Sequence, residues 1–96
     1  MSPKNKKKLN ILRKKLDSLD NKLLNLIKIR TEIIKNVISL KSHKKDIVDK
    51  KRISFILRKI KKASIKKKID PSITNKIWKN MIWTYIAFER KLFNKK

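Results

Sequence analysis

A few cations stand where this chain would otherwise place hydrophobic residues, and they are the first candidates for chemistry. Arg30 interrupts an apolar stripe that recurs every three or four residues. Burying a guanidinium in such a stripe is costly unless an anion meets it. Lys41 would lie about 20° round the same helix and about 16 Å along its axis, so the two cations could hold the ends of a small dianion. Pairing of Arg30 with a carboxylate of the protein explains Arg30 equally well, and a solvated helix end explains Lys41 on its own.

The C-terminal third carries the opposite anomaly, an acid among apolar residues. Glu89 shares a stripe with Trp78, Ile82, Tyr85 and Leu92. A carboxyl group inside a helical bundle is either paired with a cation or kept protonated. Asp49 and Arg52 are three residues apart and would share a helix face. For that pair alone, the simpler interpretation is an acid at a helix start with an ion pair inside the helix.

Helices must position these residues, because the chain has no glycine and only two prolines. The sequence predicts an all-α fold in one domain, residues 1–96, with helices at about 3–41, 49–67 and 71–93. The second and third helices each have one apolar face. The second presents Ile53, Ile56, Leu57, Ile60, Ala63 and Ser64, and the third presents Ile73, Ile77, Met81, Ile82, Tyr85, Ile86 and Leu92.

The first helix carries a heptad-like seam that needs a partner. A helix of roughly 37 residues is about 55 Å long, and two shorter helices cannot cover its apolar side. We therefore expect a homodimer in which the long helices pack together. The seam, which shows alternating steps of three and four residues, consists of Leu9, Leu12, Leu16, Leu19, Leu23, Leu26, Ile33, Val37 and Leu40.

The chain is strongly basic, with 30 Lys and Arg against 7 Asp and Glu and a formal net charge of +23. Basic surfaces attract nucleic acid by releasing counterions, so a basic helical nucleic-acid binder is an alternative. Abundant Lys, Ile and Asn with no Gly indicate instead an AT-biased coding sequence that has filled exposed positions with Lys. Arginine, which is kept where planar, forked hydrogen bonding matters, is then the informative cation. The arginines are Arg13, Arg30, Arg52, Arg58 and Arg90, of which the last two have only a solvated role.

Several classes of protein are excluded or not expected. The absence of cysteine excludes disulfides and thiolate metal sites, and the lone His43 provides no cluster for a metal site or a catalytic triad. We expect no metal and no cofactor. Apolar runs are only a few residues long, so no membrane span is expected. With no apolar segment of the secretory kind at the N-terminus, the expected location is cytoplasmic.

These residues together resemble the AroQ-type chorismate mutase family. Residues 12–20, LRKKLDSLD, are similar to the family's LRxxIDxID opening, and residues 23–30, LLNLIKIR, are similar to the LLxLLxxR that follows. Lys41, the segment DKKR at 49–52, IDP at 69–71 and the end of the third helix continue the resemblance in the same order. The resemblance implies three helices per chain, intertwined in a homodimeric bundle with two shared active sites that bind chorismate, a dicarboxylate.

The resemblance also implies roles for individual residues. Arg13 would reach into the partner's site and bind a substrate carboxylate, while Arg30 and Arg52 would bind carboxylates within their own chain. Lys41 would donate a hydrogen bond to the ether oxygen whose bond to the ring breaks. Glu89 stands where the family has a second donor to that oxygen, a Gln or a Glu. Asp49 matches a position near the ring hydroxyl.

Two positions depart from the mutase pattern. Ile53 stands where the family usually has a Glu that contacts the ring hydroxyl, and Tyr85 stands where a small residue is common. Both resemble the related isochorismate-pyruvate lyases, which share the fold and make salicylate, although drift in an AT-biased lineage would also explain them. The mutase is the favoured prediction, the lyase is the alternative, and a catalytically inactive regulatory dimer is a third possibility.

Glu89 carries a consequence for pH. An ionised carboxylate cannot donate a hydrogen bond and would repel a dianionic substrate. We therefore expect Glu89 to work protonated, with its pKa raised by burial. Activity should then fall as pH rises.

Overall fold

A computed structural model describes residues 1–95, and in this range the chain is helical with no strand. Helix α1 spans Pro3–Leu40, helix α2 spans Lys50–Lys66 and helix α3 spans Pro71–Asn94. A short 3-10 turn, Lys44–Asp46, lies between α1 and α2. The predicted all-α class with three helices is confirmed. At 1.5 Å per residue, the 38 residues of α1 make it about 57 Å long.

Each helix begins at a polar side chain that caps it. The Ser2 hydroxyl accepts a hydrogen bond from Asn5 N at 3.2 Å, and Asp49 Oδ1 accepts one from Arg52 N at 3.0 Å. Asp70 Oδ1 accepts from Ser72 N at 2.9 Å, and Pro71 follows in the first turn, where its missing N–H does no harm. Hydrogen bonds from the Ser72 backbone N–H and then from its side chain lower the pKa of Asp70.

Helix α2 ends in a left-handed residue. Lys68 has φ = 59°, and it is the one non-glycine residue with positive φ among residues 1–95. This conformation lets Ile69 N donate to Ser64 O at 2.9 Å and Lys68 N donate to Ile65 O at 3.1 Å, which satisfies carbonyls at the helix end. Glycine usually takes this position, because a Cβ disfavours positive φ.

The chain divides into two compact units, one from Met1 to Ile33 and one from Ile34 onward. The second unit holds the hydrophobic core. Ile38 from the end of α1 and Ile47 from the connection are buried with Ile82 and Ile86 of α3. The partly buried side chains packed against this core cluster are Val48, Ile53, Ile56, Leu57, Leu92 and Phe93.

Helices α2 and α3 pack against each other, and their buried faces largely follow the predictions. All six residues predicted on the α2 face are buried or half-buried. A buried pair of hydroxyls joins the two helices, with Ser64 Oγ 2.7 Å from Thr74 Oγ1. Ile73 and Ile77 were predicted on the inner face of α3, but they are exposed in the single chain. Thr74 takes the position against α2, and a one-residue step turns Ile73 about 100° away.

The predicted seam of α1 is not covered within the chain. From Leu12 to Leu26 its members are more than half exposed. Further exposed apolar residues, which the seam does not include, lie around the rest of the helix: Ile11, Leu24, Ile27 and Ile29. Such a large exposed apolar surface is typical of an interaction site. It also extends over more of the helix than a two-stranded coiled coil would bury.

Candidate active site

The first unit carries two of the predicted substrate-binding arginines, both on α1. Arg13 is exposed to solvent. Arg30 is half-buried, and its Nη1 atom is buried from solvent. The two residues therefore differ in environment, and the burial of Arg30 agrees with its place in the apolar stripe.

Lys41 is placed directly after α1 and is half-buried. Its backbone N donates to Ile38 O at 3.2 Å, which continues the helix by one tight turn. Its Nζ donates to the main-chain carbonyl of Asp46 at 2.9 Å. This bond uses one of the three donors of the ammonium group. The 3-10 turn thus fixes where the Lys41 side chain lies.

Asp49 and Arg52 both lie exposed at the start of α2. Asp49 is the N-cap of the helix, which confirms the helix-start acid, but among residues 1–95 its carboxylate meets the Arg52 backbone N–H and forms no ion pair with the Arg52 side chain. The guanidinium carbon of Arg52 lies over the Phe55 ring, 5.3 Å from its centroid. This distance is within the range of a cation–π interaction. Phe55 is not among the residues predicted from the sequence, although an Arg and a Phe three residues apart on a helix are a recognisable signal.

The other predicted site residues are Ile53 on α2 and Tyr85 and Glu89 on α3. Ile53 is half-buried against the core cluster. Glu89 is buried, with 6% of its surface exposed, as its place in the apolar stripe predicts. Tyr85 is half-buried, and its ring makes an edge contact with Phe88 at 6.3 Å between centroids and 75° between planes.

Three of the predicted site residues lie on or next to the core cluster in the sequence of their helices. Lys41 follows the core residue Ile38 by three positions, and Glu89 follows Ile86 by three, so each lies about one helical turn beyond the core cluster. Ile53 packs against the same cluster. The second unit therefore contains a cation, a buried carboxyl group and an apolar side chain that are each on or within one turn of the same core. An ammonium group and a protonated carboxyl group can both donate hydrogen bonds to an oxygen atom.

A separate cleft of about 360 Å³ lies beside the start of α3. Its lining is Leu57, Arg58, Lys61, Pro71, Ser72 and Asn75, none of which belongs to the predicted site. The α2 residues that line this cleft lie one to three helical turns after Arg52. The cleft is broadly open to solvent. Lacking both a buried polar group and the predicted donors, it is a poorer candidate for chemistry than the surroundings of Lys41 and Glu89.

The remaining surface bears on other classes of function. Trp78 is half-buried, whereas Trp83, which the sequence did not place, is 52% exposed on α3. Among residues 1–95, no helix combines the length and the apolar character needed to cross a bilayer. In the same part of the chain, no group of three His, Cys, Asp or Glu side chains is arranged to hold a metal ion.

Comparison with known proteins identifies the family. No curated protein and no solved structure matches the chain. The family described as Chorismate mutase type II matches residues 12–90, a range that contains every predicted site residue and most of all three helices. With more than three quarters of its length covered by that match, the chain belongs to the chorismate mutase type II family.

Proposed function

We propose that the protein is a chorismate mutase that rearranges chorismate to prephenate, a step in aromatic amino-acid biosynthesis. The observation that carries the proposal is the family match over residues 12–90, which supports mutase activity at the level of the family. The placement of Lys41 and Glu89 one turn beyond a common core supports it further. We also propose that the enzyme works in the cytoplasm.

Lys41 and Glu89 are the proposed catalytic residues. In the rearrangement, the ether C–O bond of chorismate breaks while a C–C bond forms, with no proton transfer and no redox change. Negative charge develops on the ether oxygen as its bond breaks, and a donor that meets this charge stabilises the transition state. Lys41 supplies a charged donor, and Glu89 in its protonated form supplies a neutral one. A charge-assisted hydrogen bond contributes about 1.5–3 kcal/mol, or roughly ten- to a hundredfold in rate.

The arginines are proposed to bind the two carboxylates and to hold the substrate in its reactive conformation. Arg30 and Arg52 would act within the chain, and Arg13 would act from the partner chain. Asp49 would lie near the ring hydroxyl. Holding the enolpyruvyl arm over the ring lowers the entropic part of the barrier. The exposure of Arg13 and Arg52 agrees with this role, because both can reach a ligand from the protein surface.

A homodimer with shared active sites is part of the proposal. The exposed apolar surface of α1 supports it, since a second copy of the same helix would cover this surface. Apolar residues lie beyond the seam as well, which favours helices that intertwine over helices that meet along a single line.

An isochorismate-pyruvate lyase is the second candidate, and Ile53 favours it. Its side chain packs against the core cluster, so the position offers no polar group to a ring hydroxyl. Isochorismate carries its hydroxyl on a different ring carbon, and the loss of a polar contact at this position suits that substrate. Tyr85, half-buried on α3, is the other residue proposed to distinguish the two reactions.

Product analysis distinguishes the two activities. Purified protein is given chorismate and isochorismate separately at mildly acidic pH, and the products are identified by chromatography. Prephenate from chorismate supports the mutase. Salicylate and pyruvate from isochorismate, with little prephenate, assign the protein to the lyases.

A matched pair of lysine variants links either product to the proposed site. Lys41→Ala removes the charged donor and should lower turnover at least tenfold. Lys45→Ala removes an exposed lysine of the neighbouring 3-10 turn and should leave turnover unchanged. Equal turnover in the two variants would remove Lys41 from the mechanism. Tight, salt-sensitive binding of nucleic acid without any turnover would instead support the basic binder.

A further inference from the structure

Arg52 and Phe55 form a pair at the start of α2 that the proposed mechanism does not yet use. The guanidinium carbon of Arg52 lies 5.3 Å from the centroid of the Phe55 ring. The Arg52 backbone is held as well, because its N–H donates to the Asp49 cap at 3.0 Å. The backbone and the guanidinium of Arg52 are therefore each in contact with a residue three positions away.

Phe55 does not serve the core. Its side chain is 46% exposed although it is large and apolar. It is not among the residues packed against the core cluster, whereas its neighbours Ile56 and Leu57 are. A large apolar side chain that stabilises no core and lies under a functional guanidinium calls for another explanation.

We propose that Phe55 is a positioning residue that holds the guanidinium of Arg52 ready to bind a substrate carboxylate. An exposed arginine has many rotamers, and ordering them on binding lowers affinity. The ring orders the guanidinium before the substrate arrives, and a contact with one ring leaves most of its five N–H donors available for a carboxylate. This inference rests on the proposed function, in which Arg52 binds a carboxylate.

Two variants of Phe55 distinguish loss of its aromatic ring from loss of an apolar side chain. Phe55→Leu keeps an apolar side chain but removes the ring, and Phe55→Tyr keeps a ring. A cation–π contact at an exposed site is worth about 0.5–1 kcal/mol, so Phe55→Leu should raise KM about two- to fivefold. The value of kcat should stay within about twofold, because a carboxylate contact is made in both the ground state and the transition state. Phe55→Tyr should keep the KM of the wild type, because it keeps an aromatic ring.

Two controls complete the experiment. Ile65→Ala truncates another apolar residue of α2, one that is 58% exposed, and should leave KM unchanged. In an Arg52→Ala background, Phe55→Leu should have no further effect on kcat/KM, because the group that it positions is gone. A merely structural role would lower kcat/KM by the same factor in both backgrounds and would overturn the proposal.

The outcomes distinguish this inference from the proposed function. If the wild type turns over neither chorismate nor isochorismate, the proposed function fails. If Arg52→Ala leaves kcat/KM unchanged, Arg52 does not bind the substrate and the role of Phe55 falls with it. If Arg52→Ala lowers kcat/KM but Phe55→Leu does not raise KM, the proposed function stands and only the role of Phe55 is overturned.

Discussion

The exposed seam of α1 leads to a quantitative prediction for Leu23→Ala. Leucine to alanine removes three carbons, worth about 2.4 kcal/mol when fully buried at ~0.8 kcal/mol each. Leu23 is 54% exposed in the single chain, so a partner can bury about half of this surface, or ~1.3 kcal/mol per chain. A twofold dimer contains the residue twice. The variant should therefore lose about 2.6 kcal/mol of association free energy, which weakens the dimer roughly eightyfold.

Sedimentation equilibrium over a range of protein concentrations measures this effect directly. Lys22→Ala is the matched control, because it truncates the adjacent exposed residue without removing the same apolar contact. Turnover provides a second measurement. If Arg13 completes the partner's site, the specific activity of Leu23→Ala should fall on dilution and recover at high concentration, whereas the control should follow the wild type.

Two results would refute this reasoning. One is an unchanged dissociation constant for Leu23→Ala, which would mean that the seam does not form the interface. The other is a wild-type protein that remains monomeric and fully active at every concentration. A shared site would then be wrong, and some other surface would have to cover the apolar face of α1.

Other predictions concern protonation and the packing of α2 on α3. Wild-type turnover should fall as pH rises and Glu89 ionises, whereas Glu89→Gln, whose amide donates at any pH, should give a flat profile; a flat wild-type profile would contradict the protonated donor. Ser64→Ala and Thr74→Val should each destabilise the fold by about 1–2 kcal/mol in urea unfolding, and the double variant should lose less than the sum, because the hydroxyls share a 2.7 Å bond. Folding lowers the pKa of Asp70, so its ionised carboxylate stabilises α3 at pH values above its unfolded-state pKa. This stabilisation is lost as pH falls through the folded-state pKa. Acid unfolding curves of the wild type and Asp70→Asn should therefore converge at low pH.

The helices could be predicted from the sequence because their signals are local. A chain without glycine, a seam with steps of three and four residues, and the Asp70-Pro71 pair determine where helices begin and how long they run. The core was harder to predict. Ile38 lies next to the predicted seam and Ile47 lies in a polar connection, so their burial depends on how the end of α1 meets α3.

For the candidate site as well, local features could be predicted from the sequence and features that depend on the three-dimensional fold could not. Glu89 could be recognised as buried because its neighbours in the stripe are apolar. The bond from Lys41 to the Asp46 carbonyl could not be predicted, because it depends on the conformation of the 3-10 turn. The role of Arg13 depends on a second chain, so neither the periodicity nor the single-chain structure tests it. It stays a prediction.

Lys68 shows what the absence of glycine means for the stability of this protein. A lysine in the left-handed conformation is strained by about 1 kcal/mol relative to glycine, yet the end of α2 still requires that conformation. The composition of the chain is therefore not the one that maximises its stability, because this turn retains a strain that glycine would remove. A glycine at this position would recover that stability, and the chain could then tolerate a further destabilising mutation elsewhere.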